Sequence, residues 1–217
     1  MNNEQYYVDL INDLTISNFL KNMTWENVGI HTSNKINGVV HPDKKYYTAV
    51  VHILIYNLKD GPKKLTPRVD VGLGSMREDV YNQKINNKDF QNQVIESLKK
   101  KAYRKFNCED IDTSNYNEKL NHYMNLLNRS YTCKRISNLQ WEDLKITQSN
   151  GYVNAKLQLP RYYIKGTYKD TTQDHVVTVT IGRKDKAVID IQDSNFKDAV
   201  FNDLVKRATK KFGCDDV

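Results

Sequence analysis

The chain repeats itself at two offsets, and that constrains its fold more than any other feature. Displaced by 116 residues, Tyr7–Tyr47 lies on Tyr123–Tyr163 without a gap, and 11 of the 41 positions are identical, among them Trp25/Trp141, Glu26/Glu142, Ser33/Ser149 and Tyr46/Tyr162. Displaced by 106, Phe90–Ile111 lies on Phe196–Val217 with nine identities in 22 positions, including Leu98/Leu204, Ala102/Ala208 and Cys108/Cys214. Chance gives roughly one match in sixteen, so both blocks imply a tandem duplication. The expected organisation is a first repeat at 1–111, a linker at 112–116 and a second repeat at 117–217. The change of offset puts a ten-residue length difference between the tyrosine pair and the last helix.

Each repeat reads as α+β. Leu120 to Leu127, like Tyr7 to Leu14, has helical spacing and predicts a short opening helix. Asn150-Gly151 predicts a tight type I′ hairpin. Val153, Ala155, Leu157 and Leu159 alternate with polar residues, as do Val177, Val179 and Ile181, which is the pattern of half-buried strands. Phe196, Val200, Leu204, Ala208 and Phe212 recur every four residues, an apolar helical stripe that Phe90, Val94, Leu98, Ala102 and Phe106 repeat. Asp193 or Ser194 is placed to cap that helix. The expected unit is helix, antiparallel meander of three to five strands, C-terminal helix.

Several function classes receive no support from the residues. The most apolar run, Ala49–Tyr56, is too short to span a membrane. The opening Met-Asn-Asn-Glu-Gln-Tyr-Tyr lacks the basic and apolar regions of a signal peptide. Three unclustered cysteines, Cys108, Cys133 and Cys214, read as reduced thiols of a cytoplasmic protein, with Cys108 and Cys214 as matched packing residues. Gly72-Leu73-Gly74 lacks the third glycine of a phosphate loop and reads as a strand end. No His or Cys spacing fits a metal, so no cofactor, metal or catalytic residue is expected. The repeated Trp-Glu pair reads as a core anchor beside a solvated neighbour, on alternating faces of a strand.

Charge and aromatic placement carry the functional expectation. The net charge is +7, and the excess is even: 16 Lys and Arg against 13 Asp and Glu in residues 1–111, and 17 against 13 in 112–217. Basic residues off the apolar stripe of the last helix, Lys100, Lys101 and Arg104, are matched by Lys206, Arg207 and Lys210. A second recurrence is a cation followed by tyrosine: Lys45 and Tyr46, matched by Arg161 and Tyr162. An exposed aromatic beside a cation can stack a base and hold its phosphate. These ten residues form the candidate nucleic-acid-binding surface, DNA or RNA, of a non-enzymatic protein with little sequence specificity. The alternative is a protein-interaction factor that inhibits a host enzyme or a defence nucleoprotein complex. The abundance of asparagine, lysine, tyrosine and isoleucine fits AT-rich coding and a phage or mobile-element origin. A metal-dependent nuclease would need Asp70, Glu78 and Asp79 to converge.

Overall fold

The computed structural model describes residues 3–36, 38–57, 63–65, 67–159, 176–183 and 193–214. Contacts divide the chain into a first unit, Val8–Leu120, and a second, Asn121–Val217 with the N-terminal residues through Tyr7. The protein is α+β, with five helices and two three-stranded antiparallel sheets among the described residues. None of those helices is long and apolar enough to cross a membrane.

The first unit runs α1 (Asn3–Lys21, shared with the second unit), a one-turn 3-10 helix (Trp25–Asn27), β1 (Gly29–Ser33), β2 (Lys35–Ile36), β3 (Val39–Val40), β4 (Lys45–His52), β5 (Ile55–Asn57), β6 (Lys63–Leu65), β7 (Arg68–Met76), α2 (Glu78–Ile85) and α3 (Lys88–Phe106). β4 is the central strand between β1 and β7, while β2–β3 and β5–β6 form separate ribbons. The apolar stripe of α3 meets the sheet as expected: Leu98 and Ala102 are fully buried with Ala49, Val51 and Val69, and Ile16 and Leu20 of α1 complete the core. The Asn87 side chain caps α3 by accepting from the Asp89 and Phe90 amides, and Asn107 ends it in the left-handed region at φ 51°.

The second unit runs α4 (Tyr116–Ser137, entered from the first unit), a 3-10 turn (Trp141–Asp143), β8 (Lys145–Ser149), β9 (Tyr152–Gln158), β10 (Val176–Arg183) and α5 (Ser194–Phe212). β9 is central. Asn150 and Gly151 both have positive φ, 50° and 76°, as a type I′ turn requires, and Ser149 pairs with Tyr152 to close it. Val153, Ala155, Leu157 and Leu159 are buried; the last three join Leu204 and Ala208 of α5 in one core. Asp193 is the cap of α5, accepting from the Asn195 and Phe196 amides.

Three expectations need correcting. The opening helices are long, 19 residues for α1 and 22 for α4, because apolar positions continue beyond the first two turns as Ile16, Leu20, Cys133 and Ile136. The Trp-Glu pairs lie in 3-10 turns, not strands. Asn27 accepts from the Thr24 amide at 2.8 Å, and Asp143 from the Gln140 amide at 2.9 Å, and each turn presents its tryptophan to the core. The cysteines are not three free thiols either. Cys133 and Cys214 form a disulfide between α4 and the chain two residues beyond the end of α5, whereas Cys108 is free and buried. Sequence separation hid this pairing, since the two sulfurs meet only when both helices pack. Disulfides persist in oxidising surroundings, so the thiol pattern does not carry the cytoplasmic expectation.

Candidate nucleic-acid interface

The basic residues of α3 and α5 divide into two groups. Lys101 donates to the Asp70 carbonyl at 2.6 Å and Lys105 to the Arg68 carbonyl at 3.0 Å, both on edge strand β7. Lys211 donates in the same way to the Val176 carbonyl of edge strand β10 at 3.0 Å. Among the described residues these two strands are sheet edges, and cations on a sheet edge guard it against pairing with another chain. Arg207 is held by Asp203 at 3.0 Å, one turn earlier on α5. Lys100, Arg104, Lys206 and Lys210 are exposed and have no carboxylate partner among the described residues. Their spacing sets Lys100 beside Arg104 and Lys206 beside Lys210, like charges that repel by a few tenths of a kcal/mol.

The basic-tyrosine segments fare differently. Lys45 is paired with Glu78 at 2.9 Å, and that hydrogen bond raises the ammonium pKa. Tyr46 is 38% exposed on the open face, while Tyr47 points inward, 2% exposed, and stacks on Tyr81 with ring centroids 3.8 Å apart. This is the in-out division expected of adjacent strand residues. Arg161 and Tyr162 lie outside the described residues. Strand register points to another tyrosine in the second unit. Ser33 pairs with Tyr46 in the first sheet, and its matched residue Ser149 pairs with Tyr152 in the second. The β2–β3 ribbon lies between Ser33 and Tyr46, where only a two-residue turn separates Ser149 from Tyr152, so a ten-residue length difference falls before the middle strand and not, as expected, between the tyrosine pair and the last helix.

Directly paired residues share a face, so the ladders define which residues share the face of each sheet opposite its core helix, α3 or α5. In the second sheet one row is Lys145, Lys156 and Thr178; the next is Thr147, Asn154 and Thr180; the third is Ser149, Tyr152 and Arg183. Tyr152 is 43% exposed. None of β8, β9 and β10 contains an Asp or Glu, and Lys145, Lys156 and Arg183 have no carboxylate partner among the described residues. In the first sheet the corresponding rows are Gly29, Val50 and Asp70; His31, Thr48 and Gly72; and Ser33, Tyr46 and Ser75, and this face is covered at Val50, which is fully buried. There the Tyr46 hydroxyl lies over Gly72, where a Cβ would collide with it. The alternation of Asn154, Lys156 and Gln158 with buried residues was legible in the sequence, whereas Tyr152 was not singled out there. The neighbours of Lys156 and Tyr152 on β8 and β10 were not legible, because they depend on register.

The carboxylates of the nuclease reading do not converge. Glu78 pairs with Lys45, Asp79 with Arg77 at 3.2 Å, and Asp70 lies 3.9 Å from both Arg68 and Lys101. Among the described residues no three His, Cys, Asp or Glu side chains are grouped to hold a metal ion. Burial, with a smaller contribution from Asp13, pushes the Cys108 thiol up to about 11, so it remains protonated at neutral pH. No protein-family model, curated protein or solved structure matches the chain.

Proposed function

We propose that the chain is a duplicated, non-enzymatic nucleic-acid-binding protein whose two α+β units present basic and aromatic surfaces. The observation that carries the reading is the recurrence of adjacent cations without a carboxylate partner among the described residues at matched helix positions, Lys100/Arg104 and Lys206/Lys210. Side-by-side positive charge without a carboxylate is relieved by phosphate, and the positive excess is spread evenly over both halves. Support for duplication comes from details outside the identities. Asn87 and Asp193 cap α3 and α5 at equivalent positions, and both helices end in a left-handed residue. The register of β4 with β7 shifts beside Leu73, and that of β10 with β9 beside Ile181. Ser17 and Cys108 are the residues matched to the bonded Cys133 and Cys214, and both are buried.

The test is fluorescence anisotropy with labelled single- and double-stranded DNA and RNA. If the four helical cations each neutralise one phosphate, affinity for duplex falls about a hundredfold between about 50 and about 200 mM salt. Reversing Lys100, Arg104, Lys206 and Lys210 together removes that dependence while the circular dichroism spectrum stays unchanged. Unaltered binding by the reversed variant refutes the assignment of these cations.

A second reading has one observation in its favour. The β2–β3 ribbon exposes Val39 and Val40, 59% and 56%, an apolar tip suited to a protein partner such as a host enzyme or defence complex. Recovery of one stoichiometric protein from nuclease-treated lysate, lost in a Val39→Asp/Val40→Asp variant, would favour it.

A further inference from the structure

Resting on the nucleic-acid reading above, the geometry points to the open face of β8–β9–β10 as a binding site for single-stranded nucleic acid, with Tyr152 stacking a base and Arg183, Lys145 and Lys156 holding phosphates. Lys145 and Lys156 are direct cross-strand partners. Like charges in that position repel, and no carboxylate among the described residues neutralises either one. A phosphate oxygen between the two ammonium groups converts this repulsion into two charge-assisted hydrogen bonds. Two rows away, Arg183 is the direct cross-strand partner of the exposed Tyr152, which places a cation and an aromatic residue on the same face. The Lys156 and Tyr152 rows are four residues apart along β9, roughly 13 Å, which separates them into successive contacts along a strand. Between them lie only uncharged hydrogen-bonding groups, including Thr180, whose hydroxyl donates to the Asn154 side chain at 2.9 Å.

The ring decides which kind of nucleic acid fits. Stacking requires a base with a free face, which a duplex interior does not offer and a single strand does. The first sheet lacks the same capacity. Gly29, Val50 and Ser75 stand where the second sheet has Lys145, Lys156 and Arg183, and Asp70 adds a negative charge. Its tyrosine also lies across Gly72, a position that Thr180 fills in the second sheet. The core face of β9 is packed against α5, so this open face is separable by mutation from the α5 cations.

The experiment uses the full-length protein with labelled oligo(dT), oligo(U) and a mixed-sequence duplex. Tyr152→Ala should weaken single-strand binding on the order of tenfold to a hundredfold, with Tyr152→Phe restoring it and Tyr46→Ala having little effect. Lys145→Glu with Arg183→Glu should flatten the log–log salt dependence for single strands by about 0.7 per lost contact. Thermal melts identify variants that remain folded, and the Phe variant keeps the stacking test independent of the charge changes. If the protein binds, but these sheet variants bind single strands as wild type does, the site is refuted while the broader reading stands. If wild type binds none of the three probes at low salt, both fall.

Discussion

Breaking the Cys133–Cys214 bond should destabilise the second unit and leave the first nearly untouched. The cysteines are 81 residues apart, and both lie within the second unit. Closing a loop of that length removes chain entropy from the unfolded state worth about 4 kcal/mol. The folded unit should survive the loss. Arg129 still reaches the Gly213 carbonyl from Nε at 2.9 Å, holding the end of α5 to α4, and Leu204 and Ala208 remain fully buried. The two tryptophans make the assay specific. Trp25 packs against the first core and Trp141 against the second, so Trp25→Phe leaves a fluorescence signal from the second unit and Trp141→Phe one from the first. In urea, reduction or Cys133→Ser should lower the Trp141 midpoint by roughly 2 M, taking a slope of about 2 kcal/mol per M. Alkylation after unfolding without reductant should label one thiol, Cys108, and after reduction all three. An unmoved Trp141 midpoint, or three labelled thiols without reductant, would refute the reasoning. An equal shift of the Trp25 midpoint would show that the two units do not unfold independently.

Two further predictions probe the first unit. Because Ser17 and Cys108 match the disulfide positions, oxidised Ser17→Cys should leave no alkylatable thiol on unfolding and raise stability by up to about 4 kcal/mol; a Cys108 that still labels would count against the duplication. The Cys108 thiol, raised from its ordinary 9.0 to about 11, keeps its proton in the folded chain where the unfolded chain has lost it. Its contribution to stability is thus fully present below about pH 9 and disappears as pH rises toward about 11. Urea midpoints measured across that range should decline less steeply in Cys108→Ala, and an identical decline would dismiss the thiol as the cause.

The sequence by itself determined the periodic features. The stripe from Phe196 to Phe212 became a helix buried at Val200, Leu204 and Ala208, and the alternation from Val153 to Leu159 became a strand with its apolar side in the core. Asn150-Gly151 made the expected turn, and Asp193 the expected cap. Each is legible because burial repeats with the geometry of the element, and because turns and caps need only residues within one turn of chain. Tertiary structure decided what depends on distant segments meeting. Ladder pairing selected Tyr152 as the residue opposite Ser149 and set Lys156 between Lys145 and Thr178. Packing brought Cys133 to Cys214, turned Lys101 and Lys105 onto the edge of β7, and left Lys100 and Arg104 exposed. A charge count is the same in every fold, whereas the neighbour that neutralises a charge, or fails to, is a property of the folded chain alone.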